Sequence, residues 1–454
     1  MAAAAGSMAA GAAPGRVRSG RLMPGQMARR RIGIVGGGIA GLTAAYVLSA
    51  TADVTLIEAE QRLGGHAHTH RVKRPGEADL WVDSGFIVHN RATYPLLTRL
   101  LAEVGATVQA SEMSMSVSCA GCGLAYAGQR GPGGLAAGLR SGGARYGRML
   151  AEVLRFHRGA RRLLAAPAGP EPGPALGEWL SAGGYSAYFT RHFAMPFVAA
   201  VWSCPPRTAL RYPARYLFTF LNQHGLLTVT GSPPWLTISG GSRSYVDKIA
   251  GRLAGVRAGA RVTAVRRLPA GSAQPALVSY ADGTGTHAEA FDAVVIATHP
   301  DQALALLADP TAAEREVLGA FRYSRNDTVL HTDDRLLPAS PRVSASWNYA
   351  LSSCAADDGA VRVSYDMSRL QRLPGAQRYI VTLNAPDAVA PDTVIARMSY
   401  EHPVYDAASV AAQRRLPELN DGVTAFAGAY HGWGFHEDGC RAGLAAAQSL
   451  GGQW

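Results

Sequence analysis

The chain has 454 residues, of which 48% are hydrophobic, and its formal net charge at pH 7 is +11. A chain of this length can bury a large core in about one to three domains. Its apolar runs fall short of the ~20 residues that a transmembrane helix needs, and its basic residues are spread along the chain without a nucleic-acid-binding motif. We therefore expect no membrane span and no nucleic-acid partner.

The N-terminal segment is rich in Ala, Gly and Pro and lacks the continuous apolar stretch of a signal peptide. We predict that residues 1–28 form a disordered tail, or that the true start lies at Met23 or Met27. The five cysteines show no pairing pattern, which suits a reducing compartment. A cytoplasmic protein is therefore expected.

A glycine-rich turn with the spacing G-x-G-x-x-G joins a predicted strand, residues 32–35, to a predicted helix, residues 39–48. The first glycine permits a tight turn, the second lets a pyrophosphate approach the backbone, and the third lets the helix pack closely on the strand. The helix N-terminus adds free N–H groups and a partial positive charge. The pattern predicts a dinucleotide site with contacts at Gly36, Gly38, Ile39, Ala40 and Gly41.

A second predicted strand, residues 54–57, ends in Glu58, which is placed to accept hydrogen bonds from adenosine ribose hydroxyls. The chain continues as E-x-x-x-R-x-G-G, with Arg62, Gly64 and Gly65. This pattern resembles the second half of the FAD signature in the amine-oxidase and phytoene-desaturase superfamily. The resemblance implies FAD as the cofactor, with Arg62 and the following glycines at its pyrophosphate, where the planar guanidinium suits phosphate oxygens.

Residues 81–88 precede a helix predicted over residues 93–105, because Leu and Val side chains line one face there. In the resembled superfamily, a segment at this place passes the reactive edge of the flavin. The resemblance therefore implies that Gly85 permits a close approach to the cofactor.

Residues 106–223 are predicted to contain short strands first and helices afterwards. Cys119 and Cys122 form a CxxC pair in this segment. A structural zinc site needs four ligands, and no second CxxC or paired-His motif is present in the sequence. We interpret the pair as the tip of a strand-turn-strand and predict no metal site, with a redox or metal role as the alternative.

Arg148, Arg155 and Arg162 recur every seven residues and so share one face of a predicted helix. The plainer interpretation is the solvated face of a cap helix. The alternative is peripheral contact with an anionic membrane surface.

Residues 224–300 are predicted to return to the cofactor domain. The resemblance implies that the backbone of Val262, in a strand over residues 261–266, contacts the adenine. A hairpin turn is predicted at Asp282-Gly283. The wholly apolar strand that follows, residues 292–298, is expected to rejoin a parallel sheet.

Near the C-terminus, a predicted strand over residues 425–430 is followed by a loop and a helix predicted over residues 440–447. The G-x-x-E spacing from Gly434 resembles the second flavin-contacting segment of the superfamily. That segment aims a helix N-terminus at the pyrimidine side of the flavin, where a positive dipole end stabilises the negative charge of the reduced ring. The resemblance implies contacts from Gly428, Phe435 and Glu437, with Phe435 as an aromatic wall.

The resemblance covers residues 31–450 and implies an α/β fold with a Rossmann-like FAD-binding domain and a discontinuous α+β substrate domain. The FAD-binding domain is predicted to comprise residues 29–105, 224–300 and 418–454. The substrate domain is predicted to comprise residues 106–223 and 301–417.

The stretches around His331, Trp347, His402 and the ending G-F-H-E-D-G look like a bacterial branch that is often encoded beside cyclopropane-fatty-acid-synthase-like methyltransferases. This implies a fatty-acyl or lipid-type substrate and a lipid methyltransferase as a partner. Many amine oxidases place a Lys near flavin N5, but neither Lys73 nor Lys248 falls in the corresponding region. Because no Cys sits where covalent attachment is expected, FAD should be non-covalent.

We therefore predict an FAD-dependent oxidoreductase that acts on a fatty-acyl or lipid-type substrate by hydride transfer at flavin N5, through desaturation, reduction or isomerisation. One alternative is an amine oxidase that releases hydrogen peroxide. A second is an FAD-stabilised, non-catalytic partner of a lipid methyltransferase. The sequence names no catalytic acid or base.

Overall fold

The computed structural model describes residues 29–128, 131–167, 169, 172–228, 233–355 and 362–454. The predicted N-terminal tail lies outside the described residues. Among the helices in these ranges, none combines the length and the apolar character needed to cross a membrane.

The strands in chain order are β1 (Arg30–Val35), β2 (Ala52–Glu58), β3 (Thr69–Val72), β4 (Leu80–Asp83), β5 (Val108–Ala110), β6 (Met115–Cys119), β7 (Ala125–Gly128), β8 (Leu236–Ile238), β9 (Gly255–Ala258), β10 (Arg261–Arg267), β11 (Ala276–Asp282), β12 (Gly285–Phe291), β13 (Ala293–Ile296), β14 (Arg322–His331), β15 (Trp347–Leu351), β16 (Arg362–Asp366), β17 (Ile380–Leu383), β18 (Val394–Val404) and β19 (Thr424–Phe426).

The helices are α1 (Ile39–Leu48), α2 (Pro95–Glu103), α3 (Gly131–Ala165), α4 (Leu176–Ala182), α5 (Ala187–Phe189), α6 (Met195–Trp202), α7 (Pro206–Leu210), α8 (Ala214–Gln223), α9 (Arg243–Ala250), α10 (Pro300–Leu306), α11 (Ala312–Leu318), α12 (Met367–Leu370), α13 (Ala407–Gln413) and α14 (His436–Ser449). A π-helical turn, Thr190–Ala194, joins α5 to α6.

Five strands form a parallel sheet in the order β19-β13-β1-β2-β9. The register sets Ile32 of β1 between Val54 of β2 and Ala293 of β13. Every residue of β13 is buried, as expected for an apolar strand covered on both faces. The sheet brings together strands that are far apart in the sequence, because parallel neighbours need crossover connections.

A second sheet of seven strands has the order β18-β14-β17-β16-β15-β6-β7. Strands β6 and β7 come from the segment before α3, and the other five come from residues 322–404. The helices between β7 and β8 pack on this sheet around a buried aromatic core that includes Phe156, Phe189 and Phe218. The parallel sheet and the seven-stranded sheet, with three smaller sheets among the described residues, confirm the predicted α/β fold class. The residue bounds of the two domains stay a prediction.

Two local predictions can be compared directly with the structure. The CxxC pair does lie at a strand-turn-strand tip, between β6 and β7. The last helix, however, begins at His436 and not at Cys440. The reason is a cap: the carboxylate of Asp438 accepts hydrogen bonds from the N–H groups of Trp433 and Phe435, each at 3.0 Å, and so starts the helix four residues earlier.

Candidate functional site

The glycine-rich turn between β1 and α1 has the geometry that its spacing predicts. Gly36 has φ +102°, and a Cβ there would lie 2.8 Å from the carbonyl oxygen of Ala297. A Cβ on Gly41 would overlap the carbonyl oxygen of Gly36. In contrast, a Cβ on Gly38 would meet no atom within 4 Å. The space beside Gly38 is therefore open to a ligand, while the other two glycines are required by the fold.

The first turn of α1 faces this space. Its N-cap, Gly38, provides no side-chain cap, so the N–H groups of Ile39, Ala40 and Gly41 are left without helical acceptors. These groups and the helix dipole form a ready anion site. Glu58 lies at the end of β2, where its carboxylate accepts hydrogen bonds from the N–H groups of Gly37 at 2.7 Å and Glu60 at 2.8 Å.

The Gly64–Gly65 turn lies directly against the first glycine-rich turn. The N–H of Gly64 donates to the carbonyl of Gly37 at 2.8 Å, and a Cβ on Gly65 would lie 3.3 Å from the Cα of Gly38. Arg62 donates to the carbonyl of Gly65 at 2.7 Å and pairs with Glu60 at 2.9 Å. Arg62 thus fixes this turn, and its guanidinium is partly occupied by protein acceptors.

His66, which was not among the predicted site residues, follows this turn. Its Nε2 is buried and has no hydrogen-bond partner among the described residues. Burial lowers the pKa of His66 well below its usual value, and nearby His402 and His299 add to the shift. A buried polar atom without a partner is costly, so this nitrogen suits a ligand group next to the Gly64–Gly65 turn. Its position next to the double glycine was the only signal in the sequence.

Gly85 packs against the backbone of His66, and Val262 lies in a strand that starts beside Glu58. A Cβ on Gly85 would overlap the carbonyl oxygen of His66, and the N–H of Phe86 donates to that oxygen at 2.7 Å. The protein's own backbone therefore requires a glycine at this position. Val262 is 9% exposed and lies in β10, which starts beside β2 because the N–H of Ala260 donates to the carbonyl of Glu58 at 2.8 Å.

The N-terminus of α14 meets the N-terminus of α1. A Cβ on Gly439 would lie 2.6 Å from Cγ2 of Ile39, and one on Gly443 would overlap the carbonyl oxygen of Ala40. Gly428 precedes this helix and is packed so closely that a Cβ would overlap the ring of Tyr430. Two helix N-termini with free N–H groups therefore lie side by side.

The acidic residues in the first turn of α14 have structural partners. Glu437 accepts hydrogen bonds from the N–H groups of Leu96 at 3.1 Å and Leu97 at 3.0 Å, and so caps α2. Asp438 caps α14 itself, and burial raises the pKa of its carboxyl to about 6. The structure thus places the Glu437 side chain, a predicted cofactor contact, at the start of another helix.

Phe435 belongs to an aromatic wall. Its ring stacks on Phe220 with centroids 4.6 Å apart, and Trp202 packs edge-on at 6.1 Å. The indole N–H of Trp202 donates to the carbonyl of Trp433 at 3.0 Å. The polar atom of Trp202 is therefore satisfied by the backbone, and the buried rings of Trp202 and Phe220 make the surroundings of Phe435 apolar.

A hydrogen-bonded network of polar side chains includes Ser84, the residue before Gly85. The hydroxyl of Tyr400 is 2.6 Å from the Ser84 hydroxyl and 2.9 Å from Nδ1 of His68. His70 Nε2 is 2.8 Å from the same serine. Burial raises the pKa of Tyr400 to about 12 and lowers that of His68 to about 3 and of His70 to about 4. Both histidines and the tyrosine are therefore neutral at pH 7.

Neither lysine lies near this site. Lys73 is exposed, and Lys248 donates to the carbonyl of Gly105 at the surface. His331, noted in the sequence, is buried in the seven-stranded sheet, where its Nε2 is 2.8 Å from the hydroxyl of Thr382. A buried indole N–H without a partner among the described residues does occur at Trp347.

Comparison with known proteins agrees with this geometry. A family model described as flavin containing amine oxidoreductase matches residues 39–331. A short segment is 48% identical over 48 residues to an L-amino-acid oxidase of Pseudechis australis; this match covers 10% of the chain and 9% of that protein.

Solved structures with a similar fold cover more than nine-tenths of the chain. A cyclohexylamine oxidase from Brevibacterium oxydans has 15% identity and a TM-score of 0.65, covering 93% of this chain and 98% of its own. A fatty acid isomerase from P. acnes has 16% identity and a TM-score of 0.63, covering 91% and 97%. At such identities, the likeness shows the fold.

The open space at Gly38, the unpartnered Nε2 of His66 and the paired helix N-termini fit a flavin dinucleotide. The family model spans more than half of the chain. The chain therefore belongs to the flavin-containing amine oxidoreductase family, and it is an FAD-dependent oxidoreductase.

Proposed function

We propose that the enzyme acts on a fatty-acyl or lipid-type substrate by hydride transfer at flavin N5, as a desaturase, reductase or isomerase. The observation that carries this proposal is the aromatic wall of Phe435, Phe220 and Trp202, combined with two lysines that both lie away from it. An apolar wall suits a hydrocarbon chain, because it removes apolar surface from water without requiring a charged partner.

FAD is proposed to bind non-covalently, and when bound it supplies a two-electron acceptor or donor for hydride. The residues proposed to hold it are Gly36, Gly38, Ile39, Ala40, Gly41, Glu58, Arg62, Gly64, Gly65, Gly85, Val262, Gly428, Phe435 and Glu437. For Glu437 the proposed contact is the backbone N–H in the first turn of α14, because its side chain caps α2. To these we add His66, whose Nε2 suits a pyrophosphate oxygen.

The chain's own groups would position the substrate and handle the proton. The wall of Phe435 would orient an apolar chain and exclude water. The hydroxyl of Tyr400, linked to Ser84 and His68, would relay a proton through its oxygen without ionising, because burial raises its pKa to about 12. The two linked histidines are neutral at pH 7, so these two side chains offer no fixed charge to a substrate.

Amine oxidation with release of hydrogen peroxide is the second candidate. It is favoured by the family match and by the likeness in fold to a cyclohexylamine oxidase. A non-catalytic role beside a lipid methyltransferase is the third.

Membrane contact is proposed through the arginine face of α3. Arg148, Arg155 and Arg162 are all exposed, as is Leu154. Arg155 packs over the ring of Tyr185 at 4.2 Å, and the other two remain available to anionic headgroups.

The test uses the purified FAD-loaded protein under anaerobic conditions, with an unsaturated long-chain fatty acid and, separately, a primary amine. Loss of oxidised-flavin absorbance with the fatty acid, or appearance of a conjugated diene without net bleaching, would support the proposal. Bleaching by the amine alone, with peroxide formed on readmission of air, would overturn it in favour of amine oxidation.

A matched pair of variants sharpens this test. Phe435→Ala should weaken the response to the fatty acid about tenfold or more, since it removes one side of the apolar wall. Phe435→Tyr keeps the ring and should retain most of the response. Equal loss in both variants would contradict a role in binding a hydrocarbon.

A further inference from the structure

Four side chains outside the flavin region converge at the tip of the β6–β7 hairpin. They are Cys119, Cys122, His192 and Cys354. Two come from the hairpin, His192 comes from the π-helical turn between α5 and α6, and Cys354 follows β15. One ligand atom from each, three Sγ and one imidazole nitrogen, lies within 4.8 Å of all the others.

The spacing of these atoms matches the edges of a metal-centred tetrahedron. Cys119 Sγ and Cys354 Sγ are 3.6 Å apart, and Nε2 of His192 is 3.6 Å from Cys122 Sγ and 3.8 Å from Cys354 Sγ. Tetrahedral Zn²⁺ with Zn–S of about 2.3 Å and Zn–N of about 2.0 Å requires ligand separations of roughly 3.5–3.8 Å. These three separations fall in this range, and the other three are no longer than 4.8 Å.

The imidazole is oriented for coordination through Nε2. Its Nδ1 is 3.0 Å from the carbonyl oxygen of Tyr188, and a carbonyl can only accept, so Nδ1 carries the proton. Nε2 therefore directs its lone pair at the sulfur atoms. This carbonyl partner is the kind of outer contact that fixes histidine ligands in metal sites. The hydroxyl of Tyr126 donates to the carbonyl of His192 at 2.7 Å and holds the backbone of the same turn.

The backbone of the hairpin tip also lies very close to the backbone at Cys354. Between the two cysteines, a Cβ on Gly121 would lie 2.8 Å from the backbone nitrogen of Cys354. Gly123 has φ +72°, and its N–H donates to the carbonyl of Cys119 at 2.9 Å, which closes the turn. The backbone therefore brings the third cysteine against the pair.

We propose that these four residues bind a structural Zn²⁺ in a Cys₃His site. Three thiolates and one imidazole are ligands that zinc prefers, and four protein ligands leave no open position for substrate. Binding would release the three thiol protons to solvent, leaving a site with a net charge of −1. The guanidinium of Arg191, which donates to the carbonyl of Cys354, lies close enough to offset part of that charge.

Such an ion would join three segments that are distant in the sequence. It would tie the helical segment at His192 to the sheet edge formed by β6, β7 and β15. A disulfide between Cys119 and Cys354 would use only two of the four groups, and it would leave Cys122 and His192 facing each other without a role.

The test is metal analysis of the full-length, FAD-loaded protein purified without chelator or added metal. We expect about one zinc per chain. Cys122→Ser and His192→Gln should each remove most of the zinc, whereas Cys440→Ala, which removes a buried cysteine in α14, should retain it. A wild-type chain that carries no metal, or iron in place of zinc, would overturn the proposal, as would detection of a Cys119–Cys354 disulfide in the native protein.

A second measurement does not depend on the folding of any variant. Wild-type protein exchanged with Co²⁺ should show the long-wavelength bands of a tetrahedral thiolate site, beyond the absorption of the flavin. Octahedral Co²⁺ spectra, or no uptake, would contradict the assigned geometry.

Discussion

Gly439 of α14 and Ile39 of α1 are so close that a Cβ on the glycine would lie 2.6 Å from Cγ2 of the isoleucine. This contact holds the first turns of the two helices together, although 400 residues separate them in the sequence. The free N–H groups of both turns are thereby aimed into one region. A single ligand with a pyrophosphate and a flavin ring can use both.

The close packing of these helices can be tested at Gly443. Gly443→Ala should lower the free energy of unfolding by about 1–3 kcal/mol, because its Cβ would overlap the carbonyl oxygen of Ala40. FAD affinity should fall as well, since α14 must move. Urea unfolding and FAD titration would measure both. Gly147→Ala is the control: with no atom within 4 Å of its Cβ, it should be neutral or stabilising by about 0.5–1 kcal/mol. Equal effects of the two substitutions would argue against the contact.

The open space at Gly38 leads to a different expectation. Gly38→Ala adds a Cβ that meets no protein atom within 4 Å, so the stability of the cofactor-free chain should change by less than about 1 kcal/mol. The same Cβ would occupy the place proposed for the pyrophosphate. FAD affinity, measured by fluorescence titration, should fall at least about tenfold, which is about 1.4 kcal/mol. Unchanged affinity would show that the cofactor does not approach this residue.

A substitution at Glu437 can distinguish a structural role of its side chain from a role in binding the cofactor. Glu437→Gln leaves only one oxygen to accept the N–H groups of Leu96 and Leu97, so unfolding of the cofactor-free chain should become easier by about 1–3 kcal/mol. Glu418→Gln, at an exposed glutamate that pairs with Arg415, is the control and should change stability little. If Glu437→Gln instead weakened FAD binding tenfold with normal stability, a direct cofactor contact would be indicated.

His331 gives a pH-dependent prediction. Burial lowers the pKa of His331 from 6.5 to about 4. The unfolded chain therefore binds a proton between these pH values that the folded chain does not. This contribution to stability is fully present above pH about 6.5 and is lost as the pH falls toward 4, by roughly 3 kcal/mol in all.

Urea unfolding of the wild type and of His331→Gln at several pH values would measure this contribution. Because Gln cannot titrate, the variant should be less stable at pH 7 but should lose less stability on acidification. The slope of its free energy of unfolding against pH should be smaller by the contribution of up to one bound proton. Parallel pH profiles for the two proteins would mean that His331 does not titrate as its burial implies.

The local elements of the cofactor region could be predicted because they depend on neighbouring residues. The spacing of Gly36, Gly38 and Gly41 determines the turn, and the helix from Ile39 to Leu48 was predicted with the bounds that the structure shows. The start of α14 was predicted too late, since the cap by Asp438 acts on residues that precede the helix.

The amino-acid sequence by itself determined the dinucleotide motif, the buried strand within residues 292–298 and the presence of a CxxC turn, because each depends on residues only a few positions apart. Only the tertiary structure decided that Glu437 caps α2, that Nε2 of His66 is buried without a partner among the described residues, and that His192 and Cys354 meet the CxxC pair. These relationships join residues brought together by sheet register and helix packing, and no local spacing encodes which distant groups such packing places in contact.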